Sequence, residues 1–339
     1  MKKNTNIKNK NLTPFAIIII VILVLYSLSL FLVLYMGILT SLKSFHEFTY
    51  GNTLKGSLPN IWGFPDIAYS KYAAELTKAP YNGIFTNYSI VLSNFKPVIS
   101  RVGYYTLSGN HIVHEGYTAS YGHFLLNTFI YAILCPLLTT VISTTAAYLC
   151  CKYKFIYSKI FYTVLLVAMT IPIVGNATAQ VNILKAVGLY DTYLSMFLMN
   201  MHTGGIYFFV LYAFFQGLSD TYIEAAEIDG ASQFTVLCKI VIPLAYKTML
   251  TIFVIQLVTL WNTFEAPLMY YPSKPTLAYS VYIMSYGTDF AFGGVDKVIL
   301  QSLPVKTAGC MLLSLPTLIL FLSLKNVIMG NLTLGGLKE

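Results

Sequence analysis

Residues 221–244 read TYIEAAEIDGASQFTVLCKIVIPL: three acids within six residues (Glu224, Glu227 and Asp229), a lone Gly230, and Pro243 just before another apolar run. Thr221 and Glu224 have the T-x-x-E spacing of a capping box, which starts a helix. Residues 222–228 suffice for about two turns, with small Ala225 and Ala226 allowing close approach. Asp229-Gly230 ends that helix, because glycine enters the left-handed cap without steric cost. Ser232 is placed to cap a second helix, in which Phe234, Leu237, Ile240, Val241 and Leu244 recur at helical spacing. The stretch therefore reads as a short helix, a bend, and a second helix that meets an apolar span at Pro243. An amphipathic loop lying at a membrane surface fits this pattern. So does a rigid lever that docks on a soluble partner while anchored to two spans.

The surrounding chain is built for lipid. It has 339 residues, 56% of them hydrophobic and 10% charged, with a mean hydropathy of +0.67. Soluble domains carry about a quarter charged residues, so an integral membrane protein is implied. The 27 tyrosines and 22 phenylalanines suit interfacial belts as well as core packing. The net charge of +8 does not point to nucleic acid, because the lysines flank apolar runs and line no single polar face. Five cysteines (Cys135, Cys150, Cys151, Cys238, Cys310) lie in or beside apolar segments, and none has metal-ligand CxxC spacing. They read as structural. His111 and His114 are three apart but lack a Cys or acid cluster, so no metal site is expected.

A helix needs about 20 apolar residues to cross the hydrocarbon layer. Six segments meet or approach that: residues 15–39, 124–150, 160–180 (interrupted by Pro172 and Gly175), 194–215, 248–270 and 308–324. The first is too long for a signal peptide and has no A-x-A cleavage pattern, so it is expected to be retained. Lys2, Lys3, Lys8 and Lys10 precede it and place the N-terminus in the cytoplasm, and six crossings return the C-terminus to that side. Lys152, Lys154 and Lys159 after the second span, and Lys239 and Lys247 near the quoted stretch, fit cytoplasmic loops. Residues 41–121 then lie outside. Their aromatics, among them Trp62, Phe64, Tyr81, Phe85, Tyr104 and Tyr105, argue for a small ordered cap over disorder. The expected fold is an all-α membrane protein of six transmembrane helices with an extended extracytoplasmic loop between the first two. Its expected parts are 1–42, 43–122 and 123–339.

EAAEIDGASQFTVLCKIVIPL resembles the EAA loop of ABC importer permeases. In that pattern EAA is followed by three residues, a Gly, and later I-x-L-P or close to it. Glu224-Ala225-Ala226, Gly230 and Ile240-Val241-Ile242-Pro243 match, with Ile242 where the pattern has Leu. The fuller EAAxIDGAS form is similar to carbohydrate importers of the maltose and glycerol-phosphate type, MalG-like permeases. Further similarity lies in Asn127-Thr128, in Ala146-Ala147-Tyr148, in GLYDTY at 188–193, in Trp261-Asn262, and in GNLTLGGLK at 330–338. It covers roughly residues 124–339, and no motif covers 41–121.

The resemblance implies a type I importer permease in the bacterial inner membrane that performs no chemistry itself. ATP and magnesium would sit on a separate cytoplasmic ATPase, and the sequence has no G-x-x-x-x-G-K-[ST] phosphate loop. It implies a second homologous permease, two ATPase subunits, an extracytoplasmic sugar-binding protein and the lipid bilayer as partners. It also implies a coupling loop at 219–244 in which Glu224 contacts the ATPase, Ala225 and Ala226 pack closely, Asp229 and Gly230 make the bend, and Pro243 opens the next span. The tail at 330–339 is expected to reach the ATPase or to fray.

For a sugar path the candidates are polar groups in or beside spans: Asn176, Gln180, Trp261, Asn262 and Glu265, since aromatic faces and amides suit sugars. Helix-to-helix hydrogen bonding is the alternative role. Other solutes, glycerol-phosphate or a polyamine, are the second reading. A membrane enzyme lacks support, since no HExxH, GxSxG or paired intramembrane carboxylates occur. A secondary transporter would often show repeated halves, and none is found.

Overall fold

The computed structural model describes residues 14–51, 61–94, 98–108, 111–153, 155–171, 175–203, 205–286 and 297–332. Fifteen helices and one two-stranded hairpin are seen among them. In chain order they are α1 (Pro14–Leu42), α2 (Phe45–Tyr50), α3 (Ile67–Thr77), α4 (Thr86–Asn94), β1 (Val98–Ser108), β2 (His111–Thr118), α5 (Tyr121–Lys152), α6 (Ile156–Thr170), α7 (Asn176–Ala186), α8 (Tyr193–Asn200), α9 (Ile206–Gln216), α10 (Thr221–Ile228), α11 (Gln233–Asn262), α12 (Glu265–Tyr270), α13 (Leu277–Tyr286), α14 (Lys297–Leu300) and α15 (Leu303–Leu332).

Four of these, α1, α5, α11 and α15, are long and apolar enough to cross a membrane, and α6 and α9 are shorter apolar helices. The spans expected at 15–39, 124–150 and 308–324 are present and longer than the sequence implied. Three others are broken. The third divides at Gly175, which has φ +76° and opens α7; Pro172 lies outside the described residues. The fourth divides between α8 and α9, where Gly205 has φ +91°. The fifth divides at Thr263-Phe264, between α11 and α12. Chain contacts group residues 1–92 with 295–311, and residues 93–294 with 312–339.

In the first unit α1 is apolar on every side and exposed along almost its whole length, with burial only at Leu39, Thr40 and Ser41. Such a helix is stable only in lipid or against another subunit. Beyond α1 the cap is held by buried polar groups. Asn87 donates through Nδ2 to the carbonyls of Ser41 (2.8 Å) and Lys43 (2.7 Å). Lys43 Nζ donates to the Ile61 carbonyl at 3.0 Å. Glu47 accepts from the Asp66 amide at 2.9 Å and from the Ser70 hydroxyl at 3.1 Å. Trp62, Phe64 and Phe85, among the aromatics on which the sequence reading rested, are exposed, so these polar bonds and not aromatic packing hold the described part of the cap.

β1 and β2 pair antiparallel, with a register irregularity between Ser100 and Tyr105. The sequence carried a signal for this hairpin that the expected all-helical fold passed over: a β-branched and aromatic run on either side of Gly109-Asn110.

The second unit is built around α5. Its 32 residues span ~48 Å at the helical rise. At its C-terminal end Ala147 and Tyr148 join Phe208, Leu211 and Phe215 of α9 and Ala226, Val236, Val241, Ala245 and Ile252 of α10 and α11 in one buried cluster. Nearer the other end Tyr131 and Cys135 pack with Leu184, Met196, Tyr270 and Tyr271. All five cysteines are free thiols, and Cys135 donates to the Met196 carbonyl.

Two of the long helices share a device. A π-helical turn at Ile130–Leu134 precedes Cys135-Pro136 in α5, and another at Leu237–Val241 precedes Ile242-Pro243 in α11. A proline cannot donate to the preceding turn and its ring crowds it, and the widened turn relieves both. Pro243 therefore lies within a continuous helix, where a junction was expected.

Candidate functional site

The quoted stretch forms a helix, a bend and a helix. Its start differs from expectation. The N-cap is Asp220, one residue before the expected Thr221, and its side chain makes no cap bond. That carboxylate is taken by Lys152 Nζ at 2.6 Å. The first free amides turn instead to the Asp220 carbonyl, from Ile223 at 2.9 Å and Glu224 at 3.0 Å. The T-x-x-E reading fails because Thr221 is itself inside the helix, with its hydroxyl bonded to Ser219 at 2.8 Å and its amide to the Ser219 hydroxyl at 3.3 Å.

The bend is as the sequence implied. Gly230 has φ +78°, its amide reaches the Glu227 carbonyl at 3.0 Å, and the Ala231 amide reaches Ala226 at 2.9 Å. These two bonds are the Schellman pair that closes a helix on a left-handed residue. Ser232 caps the next helix, accepting from the Thr235 amide at 3.3 Å. The apolar stripe that follows is shifted in part. Val236, Val241 and Ala245 are buried, whereas Phe234 and Leu244 are exposed. Leu237, Ile240 and Val241 of the expected stripe do face the core, so the misses are Phe234 before the π-turn and Leu244 after it, where the extra residue of the turn shifts the buried position to Ala245.

Ala226 is buried on the α5–α9 cluster, while Ala225 and Glu224 are exposed. Away from the bundle the segment presents Ile228, 86% exposed, Phe234, 73% exposed, and the half-exposed Tyr222. Sequence reasoning named none of the three as functional. Their signal was the presence of large apolar residues on the charged side of a short polar loop. Between α10 and the α5–α6 turn lies an open cavity of about 920 Å³, bordered by Lys152, Tyr153, Lys159, Glu224, Glu227 and Gln233, with tyrosines 148, 162 and 212 deeper in its wall.

The five path candidates lie toward the other end of the bundle, and none borders that cavity. Gln180 on α7 accepts from the Tyr270 hydroxyl of α12 at 2.6 Å. Asn176, one turn earlier, is exposed. Trp261 donates through Nε1 to the Leu313 carbonyl at 2.9 Å. Asn262 is exposed and donates to its own helix at Val258, 2.8 Å away. Glu265 is exposed at the first turn of α12 and accepts from the Phe264 amide at 3.3 Å. The break in the fifth span thus separates Trp261 and Asn262 from Glu265, while α7 and α12 pack together.

At that same end the similarity residues form a knot. Asp191, at φ +61°, receives Lys274 Nζ on its carbonyl and at 3.4 Å on its carboxylate, and accepts the Ser273 amide at 3.1 Å. The ammonium also lies 5.2 Å from the centre of the Tyr193 ring. Tyr193 donates to Asn127 at 2.7 Å, and Asn127 donates to the Pro275 carbonyl at 3.0 Å. Thr128 accepts the Leu277 amide at 2.9 Å. These groups fasten the loops around α5.

The fold is that of an ABC importer permease, a bundle whose acidic bent arm projects between two apolar helices. It is similar to a solved structure of a bacterial ABC transporter involved in the import of the acidic polysaccharide alginate, with a TM-score of 0.60 and 16% identity over 91% of this chain and 96% of that one.

The family described as the binding-protein-dependent transport system inner membrane component matches residues 139–332, and the chain belongs to that family. It is a multi-pass membrane transport subunit. Among curated relatives, the sulfoquinovosyl glycerol transport system permease protein SmoH of Agrobacterium fabrum is 26% identical over 63% of this chain and 73% of the relative. The sn-glycerol-3-phosphate transport system permease protein UgpE of Escherichia coli (strain K12) is 28% identical over 45% of this chain and 54% of its own length. The chain thus spans little more than half of that second relative.

Proposed function

We propose that this chain is one permease subunit of an ATP-driven importer of a sugar or oligosaccharide, and that residues 219–244 receive force from a separate cytoplasmic ATPase. The observation that carries this is the arm itself. Ala226 and Val236 seat it on the bundle, while Tyr222 and Ile228 remain exposed as apolar knobs on α10, a helix too short to be stable alone, with Phe234 exposed beside them on the first turn of α11. A partner groove is the natural place for such knobs. Glu224 and Asp229 give the same surface an acidic edge. On this reading the arm end of the bundle and both chain termini are cytoplasmic, and the cap faces outward. ATP and magnesium are held by two ATPase subunits, and a second permease and a sugar-binding protein complete the complex. Residues 333–339, the end of the tail expected to reach the ATPase, lie outside the described residues.

The relatives and the solved structure are named for sulfoquinovosyl glycerol, glycerol-3-phosphate and alginate. All three are polyhydroxylated, which supports a carbohydrate-like solute. For the path we retain Asn262 and Glu265, exposed at a helix break inside the fifth span, with Asn176, Gln180 and Trp261 as neighbours along the broken helices.

Gly230→Val tests the arm. Cβ at Gly230 meets open space, but the φ of +78° penalises a β-branched residue by about 1–3 kcal/mol. Uptake of labelled solute should be lost while the external receptor still binds it. Normal uptake in this variant would refute the arm. Competition of labelled oligosaccharides against glycerol-3-phosphate in cells with and without the gene decides the solute class.

A further inference from the structure

The arm is attached to the bundle by more than its own covalent continuation into α11. At the last turn of α5, Lys152 Nζ donates to the Leu218 carbonyl at 2.7 Å and to Asp220 at 2.6 Å, just ahead of α10. Its neighbour Tyr153 donates through its hydroxyl to the Gln233 side-chain oxygen, just beyond the bend. Gln233 in turn donates to Glu227 at 2.6 Å, on the last turn of α10. Two adjacent residues of α5 and its cap therefore hold both ends of a helix ~12 Å long. The Tyr153 ring is itself fixed, stacked on Phe155 at an interplanar angle of 8° and edge-on to Tyr148. Between the two fastenings the acidic side of α10 borders the 920 Å³ cavity, so on that side the link to the α5–α6 turn passes through these hydrogen bonds.

From this geometry we infer that Lys152 and Tyr153 are positioning residues that clamp the arm to the end of α5, adding a polar link at each end of α10 to its chain connections with α9 and α11 and to the apolar seat of Ala226. The inference rests on the reading of residues 219–244 as the ATPase-driven arm. Held only by its two short connections and the Ala226 contact, α10 could roll about its own axis. Fastened at both ends, it carries α5 and α6 with it.

The test uses the whole complex purified with its ATPase in lipid nanodiscs. Nitroxides are placed through genetically encoded ketone residues at exposed Tyr157, on the first turn of α6, and at exposed Thr221, on the first turn of the arm. The distance distribution between them is measured without nucleotide and with ATP and vanadate. Wild type should give one narrow distribution, the same in both states. Lys152→Met should widen it or shift it by several ångströms with nucleotide, and Tyr153→Phe should do so to a lesser degree. Lys152→Arg, which keeps the donors, should restore the narrow distribution. Lys152→Glu combined with Asp220→Lys should recover part of it.

If wild type itself changes distance with nucleotide, or if Lys152→Met and Tyr153→Phe match wild type in both states, the clamp is refuted. Should Lys152→Met fail to assemble, Tyr153→Phe decides, because it removes one hydroxyl and leaves the ring packing. A photo-crosslinker at residue 234 in the wild-type complex checks the underlying reading separately. No capture of the ATPase there would overturn the arm, whatever the distances show.

Discussion

Two lysine–aspartate pairs lie at opposite ends of the bundle, and they are built differently. Lys274 and Asp191 are both largely buried, with side chains 15% and 9% exposed, and each has further partners in backbone groups and the Tyr193 ring. Lys152 is as sheltered, at 12%, but its partner Asp220 is 65% exposed. A buried, fully satisfied pair is costly to break because each charge would be stranded away from water. A pair with one member in solvent can open, since water replaces the lost partner. The first arrangement contributes to the stability of the bundle, while the second can be removed at little cost to stability and sets the position of the arm.

That contrast can be broken by mutation. Asp191→Ala strands the Lys274 ammonium and leaves the Ser273 amide without its acceptor. It should cost about 2–4 kcal/mol, seen as a clear fall in thermal stability of the detergent-solubilised protein or as failed insertion. Asp191→Asn keeps the acceptor and a residue tolerant of positive φ. It should cost about half as much, and an equal loss in both variants would show that charge alone matters there. Asn127→Ala removes the link between Tyr193 and the Pro275 carbonyl, at about 1–3 kcal/mol. At the arm end, Lys152→Met should cost under about 1 kcal/mol of stability. A destabilisation equal to that of Asp191→Ala would erase the distinction. The smallest effect is ionic. Raising salt from about 0.1 to 1 M shortens the screening length to about 3 Å, which should alter ATPase activity of the complex slightly while leaving thermal stability of the knot unchanged.

Much of this was legible in the chain. The apolar runs gave the long helices, because an uncharged stretch such as that of α1 has no other stable environment. Gly230 gave the bend, because only a residue without Cβ enters φ +78° freely. Ser232 was legible as a cap for the same local reason. The break between α8 and α9 had a signal in Gly204-Gly205 that a hydropathy count averages away. The break at Thr263-Phe264 had a signal in Pro267, which cannot donate to the carbonyl four residues back and whose ring crowds it. The five path residues were chosen for polarity, yet Gln180 and Trp261 are engaged with neighbouring helices, while Asn262 and Glu265 stay exposed. Polarity marks a residue that needs a partner without saying whether the partner is protein or solute.

The sequence by itself determined the class, the helix-bend-helix of the arm, and its place between two apolar segments. Each depends on local composition, on backbone freedom at single residues, or on the free energy of apolar side chains in lipid. Only the tertiary structure decided that Lys152 takes the Asp220 carboxylate, that Val236 is buried while Phe234 is exposed, and that Asn127, Asp191 and Lys274 meet at the far end of α5. These outcomes depend on which groups from distant parts of the chain compete for one charge or one hydrogen bond, and no local pattern records the winner.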